Sequence, residues 1–195
     1  MPKHKTLRQW TTLSRRVLLD QGRFLKVEEH EVELPDGRTI PDWPWVCIPD
    51  AVIILPMTPE GNFLCFRQTK YAVEGTTLAP VGGMIEPDEK PLTAAKRELL
   101  EEMGCEAPEW INLGHFILDP NRKVAEVHLF LAKSAKMVTA PVSDDLEDQE
   151  ILQLSQADLE KALFAGEFKV LSWSTVAALS LHHIKDRGSC QETIR

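Results

Sequence analysis

The chain has 195 residues, of which 43% are hydrophobic, and a formal net charge of −8. This length and apolar content predict one folded domain, or one domain with a small appendage, and exclude a globally disordered chain. The acidic balance argues against a nucleic-acid partner, since such binders carry a basic surface. No stretch approaches the ~20 apolar residues of a membrane span, and the basic N-terminus lacks the apolar run of a secretory signal.

The cysteines favour a reducing compartment. None of the four stands in a CxxC pair and their spacings are wide. Structural zinc is therefore not expected, and the thiols are expected to be reduced and mostly buried. We expect the protein to be cytoplasmic.

The N-terminal part of the chain predicts a small antiparallel sheet. Residues 16–19 are compatible with a strand, residues 31–34 alternate in polarity, and residues 35–37 (Pro-Asp-Gly) have the composition of a tight turn. A sheet of this size is marginally stable alone. We therefore predict a β appendage at residues 1–45 that packs on the main domain, at 46–195, or on a second subunit.

The main domain is expected to contain strands on both sides of one distinctive helix. The apolar run at 46–57, which Pro49 and Asp50 interrupt, predicts a strand buried on both faces. Residues 63–68 predict the strand that returns beside it. Residues 69–77 are polar and predict a loop. Later elements follow the same signals: strands at 110–118 and 126–132, an acidic loop at 141–150, a helix at 156–164 capped by Ser155, and a last helix capped by Ser172 or Ser174 and ending near residue 184.

The distinctive helix is predicted to begin at Pro91 and to stop at Gly104. Proline suits the first helical position and glycine suits the position after the last turn. An apolar stripe is expected to face the core, with the acidic residues largely on the other side; the stripe consists of Leu92, Ala95, Leu99 and Met103.

Three glutamates of this helix share one face. Glu98, Glu101 and Glu102 stand three and four residues apart. Carboxylates at this spacing repel each other by roughly 0.2–0.5 kcal/mol per pair. The pattern therefore indicates a bound cation, and a hard divalent metal is the natural candidate. Gly82 and Gly83 precede the helix, and glycines let a backbone approach a ligand closely.

The same segment resembles the Nudix box at every fixed position. The segment runs from Gly83 to Cys105, and Cys105 fills the final aliphatic slot of the box. The other matching residues are Gly83, Glu89, Arg97, Glu98, Leu99, Glu101, Glu102 and Gly104. The resemblance implies an α/β fold, the Nudix α/β/α sandwich around a mixed sheet. It also implies hydrolysis of a diphosphate linked to another moiety, with Mg²⁺ or Mn²⁺, and a structural pair between Arg97 and Glu89.

On that resemblance, Glu98 and Glu102 are direct metal ligands. Glu101 is a further ligand or acts through a water, and the carbonyl of Gly82 joins them. The rest of the chain resembles the ADP-ribose pyrophosphatase branch, in which a proline follows the box (here Pro120) and a late catalytic glutamate lies in a loop.

The acidic loop supplies the candidates for that late glutamate. Glu147 is predicted to bind metal or to activate water, with Asp145 and Glu150 as alternatives. Arg67 is predicted to bind the diphosphate or terminal ribose, with Arg122 as a second candidate.

The branch also suggests a homodimer through the N-terminal appendage. In that arrangement Trp45, or alternatively Trp43, would stack on adenine across the dimer interface.

The expected reaction is hydrolysis of ADP-ribose to AMP and ribose 5-phosphate. A sugar nucleotide, NADH or a dinucleoside polyphosphate remains an alternative substrate. A non-catalytic ADP-ribose sensor is an alternative of another class, although every acidic residue of the box is present. An isomerase or a decapping enzyme on the same fold has no support in the residues.

Overall fold

The structure is a computed structural model that describes residues 7–142 and 148–191, with side chains up to residue 186. The described residues fall into two compact units. One lies within Met1–Pro49 and Ile117–Glu126, and the other within Asp50–Phe116 and Val127–Arg195. No described helix is both long enough and apolar enough to cross a membrane.

The first unit contains the predicted N-terminal sheet. Strands β1 (Thr11–Asp20), β2 (Lys26–Glu33) and β3 (Thr39–Cys47) pair antiparallel in chain order. The turn between β2 and β3 is closed by hydrogen bonds between Leu34 and Arg38 and from Gly37 to Leu34. The antiparallel appendage is therefore confirmed.

The remaining elements follow in chain order. They are β4 (Ala51–Met57), β5 (Phe63–Lys70), β6 (Val73–Ala79), β7 (Val81–Met84), α1 (Pro91–Met103), β8 (Cys105–Glu106), β9 (Glu109–Asp119), β10 (Lys123–Lys133), β11 (Lys136–Met137), β12 (Gln149–Leu154), α2 (Gln156–Phe164) and α3 (Leu171–Gln191). Helix α2 has the predicted bounds, and the Ser155 hydroxyl accepts a hydrogen bond from the Asp158 N–H.

The second unit is built on a mixed sheet. Strand β4 pairs parallel with β10 and antiparallel with β7 and β5, while β5 also pairs antiparallel with β6 and β12. Successive side chains of a strand face opposite sides. Val52 and Ile54 of β4 accordingly pack with α1, whereas Ile53 and Leu55 pack with α2 and α3. The predicted α/β/α sandwich is confirmed, and its two apolar faces explain the continuous hydrophobic run of β4.

Three predictions about the elements are wrong. The run at 46–57 is divided between β3 and β4, at a break that contains Pro49, which lacks a backbone N–H for a ladder. The segment at 69–77 is not all loop, because Thr76 pairs with Thr69 and Thr77 pairs with Gln68 in a hairpin. Backbone hydrogen bonds form such a hairpin, so polar side chains do not prevent it.

The third concerns the last helix, which begins at Leu171 rather than after Ser172 or Ser174. The Ser174 hydroxyl donates to the carbonyls of Phe168 and Val170 one turn earlier, so it does not cap the helix. Strand β12 was also not expected, since its first two residues belong to the segment predicted as an acidic loop.

Candidate active site

Helix α1 begins and ends where the sequence predicts. Pro91 is its first residue, and Lys90 precedes it without a side-chain capping bond. Gly104 ends it in the left-handed conformation, with φ of 62°, and its N–H donates to the carbonyl of Leu100 at 2.9 Å. A β-carbon at this position would collide with the carbonyl oxygen of Thr139, so both conformation and space require glycine.

The buried face of α1 differs from the predicted stripe in three residues. Leu92 is exposed, and Ala94 takes its place beside Ala95, Leu99 and Met103. Glu98, which was expected to lie with the other acidic residues on the opposite side, is only 8% exposed. One of the three glutamates is therefore held out of water.

Glu98 lies directly against β7. The Gly83 backbone pairs with Val52 of β4, and a β-carbon on Gly83 would fall on the carboxylate of Glu98. Burial raises the pKa of the Glu98 carboxyl, while the neighbouring Arg97 guanidinium opposes that shift. A cation beside a buried carboxylate stabilises its charged form and so lowers its pKa.

Glu102 lies against the neighbouring glycine. The Gly82 N–H donates to Oε2 of Glu102 at 3.4 Å, and the Gly82 backbone pairs with Ile53 of β4. The structure thus brings Gly82, Gly83, Glu98 and Glu102 together where β7 meets α1. The predicted role of the Gly82 carbonyl as a metal ligand stays a prediction.

Arg97 joins the loop to the helix. Its Nε and Nη2 donate to the two carboxylate oxygens of Glu89 at 3.0 and 2.9 Å, and Nη2 also donates to the Met84 carbonyl at 3.1 Å. Its Nη1 contacts Oε1 of Glu98 at 2.7 Å and Oε2 of Glu101 at 3.1 Å. The pair with Glu89 that the resemblance implied is present. The hydrogen bonds that Arg97 donates to Glu89, and then to Glu98 and Glu101, raise the pKa of Arg97.

Replacing Arg97 with Met should destabilise the metal-free protein. The Arg97 side chain is 27% exposed and is the cation shared by three carboxylates. Because hydrogen bonds to charged groups contribute about 1.5–3 kcal/mol, the free energy of unfolding in urea with a chelator should fall by about that amount.

The matched control is Arg16→Met. Arg16 is 70% exposed and pairs with Glu29 alone at 2.7 Å. Exposed pairs contribute about 0–1 kcal/mol, so this change should have little effect. Equal losses in the two variants would contradict the structural role given to Arg97.

A small cavity of about 40 Å³ lies beside Glu102. It is lined by residues of β5, β7, α1 and α3 and of the turn before β7: Phe66, Gln68, Lys70, Pro80, Gly82, Glu102 and Trp173. Sequence reasoning missed Gln68, Lys70 and Trp173 as neighbours of the site. The signal for Gln68 was available, since it alternates with Phe66 along the strand predicted at 63–68, whereas Lys70 falls in the segment predicted as a loop.

Arg67 faces away from this cavity. Its Nη2 contacts Oε2 of Glu167 at 2.9 Å, and it precedes Gln68 on β5, so its side chain leaves the opposite face of the strand. Glu150, one candidate for the late catalytic acid, is an exposed residue of β12 that pairs with Arg67 in the sheet register. Glu147 and Asp145 lie outside the described residues.

The tryptophans of the first unit are engaged in contacts of their own. Trp45 stacks on the buried His30 ring with centroids 4.8 Å apart. Trp43 donates from Nε1 to the Asn121 carbonyl at 2.7 Å. Arg122 contacts Asp119 at 3.2 Å in the turn that holds Pro120. The substrate roles predicted for Trp45, Trp43 and Arg122 stay predictions.

The residues at the junction of β7 and α1 fit a divalent metal. Their donors are carboxylate and carbonyl oxygens, the ligands that hard divalent cations prefer. The Glu98 carboxylate is buried against Gly83, where a larger residue would not fit. This junction is called the cradle below, and its negative charge would be offset by a bound cation. Glu98, Glu102 and Gly82 are the residues that would hold such an ion.

The family of the chain follows from its match to known domains. Residues 48–174 match the NUDIX domain, and residues 10–46 match the nucleoside diphosphate sugar hydrolase N-terminal domain. The chain therefore belongs to the Nudix family and is a Nudix pyrophosphohydrolase. Enzymes of this family generally use a divalent metal.

Individual relatives are similar over most of their length. The chain is 28% identical to the ADP-ribose pyrophosphatase of Bacillus subtilis (strain 168) over 88% of its own length and 91% of the relative's. It is 29% identical to the methanol dehydrogenase activator of Bacillus methanolicus, covering 85% and 88%. The crystal structure of an ADP compounds hydrolase superposes with a TM-score of 0.78 at 21% identity, covering 94% of this chain and 98% of the other, which shows the shared fold.

Proposed function

We propose that this protein hydrolyses ADP-ribose to AMP and ribose 5-phosphate with Mg²⁺. The observation that carries the proposal is the cradle at the junction of β7 and α1, where Glu98 is buried against Gly83 and Glu102 lies beside Gly82. The choice of ADP-ribose among diphosphate substrates is supported by the similarity to an ADP-ribose pyrophosphatase along most of the chain.

Each residue has a proposed part in the reaction. Glu98 and Glu102 would hold the metal directly with the Gly82 carbonyl, and Glu101 would bind it directly or through a water. Arg97 keeps Glu98 and Glu101 in place from the side. When held by these residues, Mg²⁺ would supply polarisation of the diphosphate and neutralisation of the charge that develops on the leaving phosphate. Water adds to one phosphorus and the other phosphate departs, so catalysis is largely positioning and electrostatics.

The residues outside the box have proposed roles that rest on the branch resemblance. Glu147 would activate the water or bind a further metal. Trp45 would stack on adenine, with its other ring face held by His30. Arg67 would have to exchange its contact with Glu167 for one with the substrate.

The test of the proposal is a panel of nucleotides assayed for AMP release with Mg²⁺, with Mn²⁺ and with a chelator. The panel holds ADP-ribose, a sugar nucleotide, NADH and a dinucleoside polyphosphate. ADP-ribose should give AMP and ribose 5-phosphate at the highest kcat/KM, and the chelator should abolish release. A higher kcat/KM for another member would reassign the substrate, and binding of ADP-ribose without release would favour a sensor.

We also propose a homodimer formed through the N-terminal unit. Every residue of β1 is exposed, including Leu13, Val17, Leu18 and Leu19, and β1 pairs with β2 along one edge only among the described strands. An exposed edge with apolar side chains is a surface for another strand. Sedimentation at micromolar concentration should give twice the monomer mass, and a monomer would refute this assembly.

Two further expectations stay as proposals. We place the protein in the cytoplasm, which is supported by the free thiols of Cys47, Cys65 and Cys105 in the described part of the chain. We divide the chain into an appendage at 1–45 and a hydrolase domain at 46–195.

A further inference from the structure

Gln68 is a largely buried residue whose side chain lies at the wall of a cavity. The residue is 5% exposed and lines the cavity beside Glu102. Its side chain makes no hydrogen bond to any residue in the part of the chain that the structure describes. A polar side chain that has no protein partner in a folded protein is generally bonded to water.

The cavity has the size for water and not for a nucleotide. At about 40 Å³, it has room for roughly three or four waters, since one water needs about 10–15 Å³. Its wall offers the polar partners that a buried water requires, because the Gln68 amide and the Glu102 carboxylate both line it. Phe66, Pro80 and Trp173 supply apolar surface around them.

We propose that Gln68 is a positioning residue that holds an ordered water against Glu102. The amide offers both a donor and an acceptor, so it can orient a water that donates a hydrogen bond to the carboxylate. The water then fixes the direction in which Glu102 presents its oxygens to the metal. This inference rests on the proposed metal site, and it assigns to β5 a part in shaping that site.

The test replaces Gln68 with Met, which has similar length and no hydrogen-bonding amide. Mn²⁺ affinity of the whole protein, measured by calorimetry without substrate, should weaken at least ~10-fold, the typical effect of losing an outer partner of a metal ligand. The thermal midpoint of the metal-free protein should stay close to that of the wild type, because the change removes no hydrogen bond to another described residue.

Gln153→Met is the matched control. Gln153 is an exposed residue of β12, on the strand that pairs with β5, and the same chemical change there should leave Mn²⁺ affinity unaltered. If Gln68→Met binds Mn²⁺ as tightly as the wild type, Gln68 is an idle buried amide and the inference is wrong. If the wild type binds no Mn²⁺, the proposed metal site fails and this inference fails with it.

A crystal structure of the unaltered protein gives a second, independent test. It should show an ordered water within about 3.2 Å of both the Gln68 amide and the Glu102 carboxylate. A dry cavity, or a water that touches only one of the two groups, would overturn the inference even if the Gln68 variant failed to fold.

Discussion

Glu102→Gln is expected to lower turnover of ADP-ribose at least ~10²-fold, the scale of losing a key electrostatic group in an active site. The substitution keeps the shape of the side chain and removes the negative charge that would hold the metal. The Gly82 N–H, 3.4 Å from Oε2, should retain a partner in the amide oxygen, so the fold should persist. Steady-state kinetics at saturating Mg²⁺, with circular dichroism as a check of folding, measures the effect.

Glu106→Gln is the control for this prediction. Glu106 is an exposed residue of β8 that lies beyond the helix, and it undergoes the same loss of one charge. Its turnover should stay close to that of the wild type. A near-wild-type rate for Glu102→Gln would contradict the assignment of Glu102 as a metal ligand. Equal losses of turnover in both variants would show that the change in net charge is the cause.

Gly83→Ala should damage the site through a single methyl group. The added carbon would occupy the place of the Glu98 carboxylate, and β7 cannot retreat because Gly83 is paired with Val52 of β4. The atoms in the way all belong to the end of the flexible Glu98 side chain, so moving that carboxylate relieves the clash. The loss of stability should therefore stay below the ~1–3 kcal/mol that overpacking of a rigid core costs. Since Glu98 must move to make room, turnover should also fall at least ~10²-fold, as expected when a preorganised electrostatic group is displaced.

The neighbouring residue provides the comparison. Met84 follows Gly83 on β7 and is exposed, so Met84→Ala should change neither urea stability nor turnover appreciably. Mn²⁺ calorimetry on both variants shows whether the damage at Gly83 reaches the metal. Gly83→Ala with wild-type affinity and turnover would mean that Glu98 is not a ligand.

The helix of the site was predictable because its signals are local. Pro91, Gly104 and the spacing of the glutamates are all contained in the segment, and each specifies a position by backbone conformation or helical period. What the segment does not contain is the partner that each glutamate meets. The burial of Glu98 depends on β7 pairing with β4, so the sequence pattern placed Glu98 on the wrong side of the helix.

The cavity was missed for a related reason. The alternation of Phe66 and Gln68 on β5 was visible, but the side of the strand that faces α1 is decided by the sheet as a whole. Trp173 comes from α3, far along the chain, and no local signal brings it to Glu102. The charge of Arg67 predicts a substrate contact from sequence alone, whereas in the structure its side chain contacts Glu167.

The contacts of Arg97 have a practical consequence for handling the enzyme. Because a protein cation already bridges Glu89, Glu98 and Glu101, the architecture around the glutamates does not depend on an added ion for its cohesion. Small metalloproteins whose fold is held by their metal unfold when it is stripped. This enzyme should instead survive dialysis against a chelator with an unchanged circular dichroism spectrum, and it should regain full activity within the mixing time once Mg²⁺ is returned. Slow or incomplete recovery of activity would show that the ion also stabilises the folded structure.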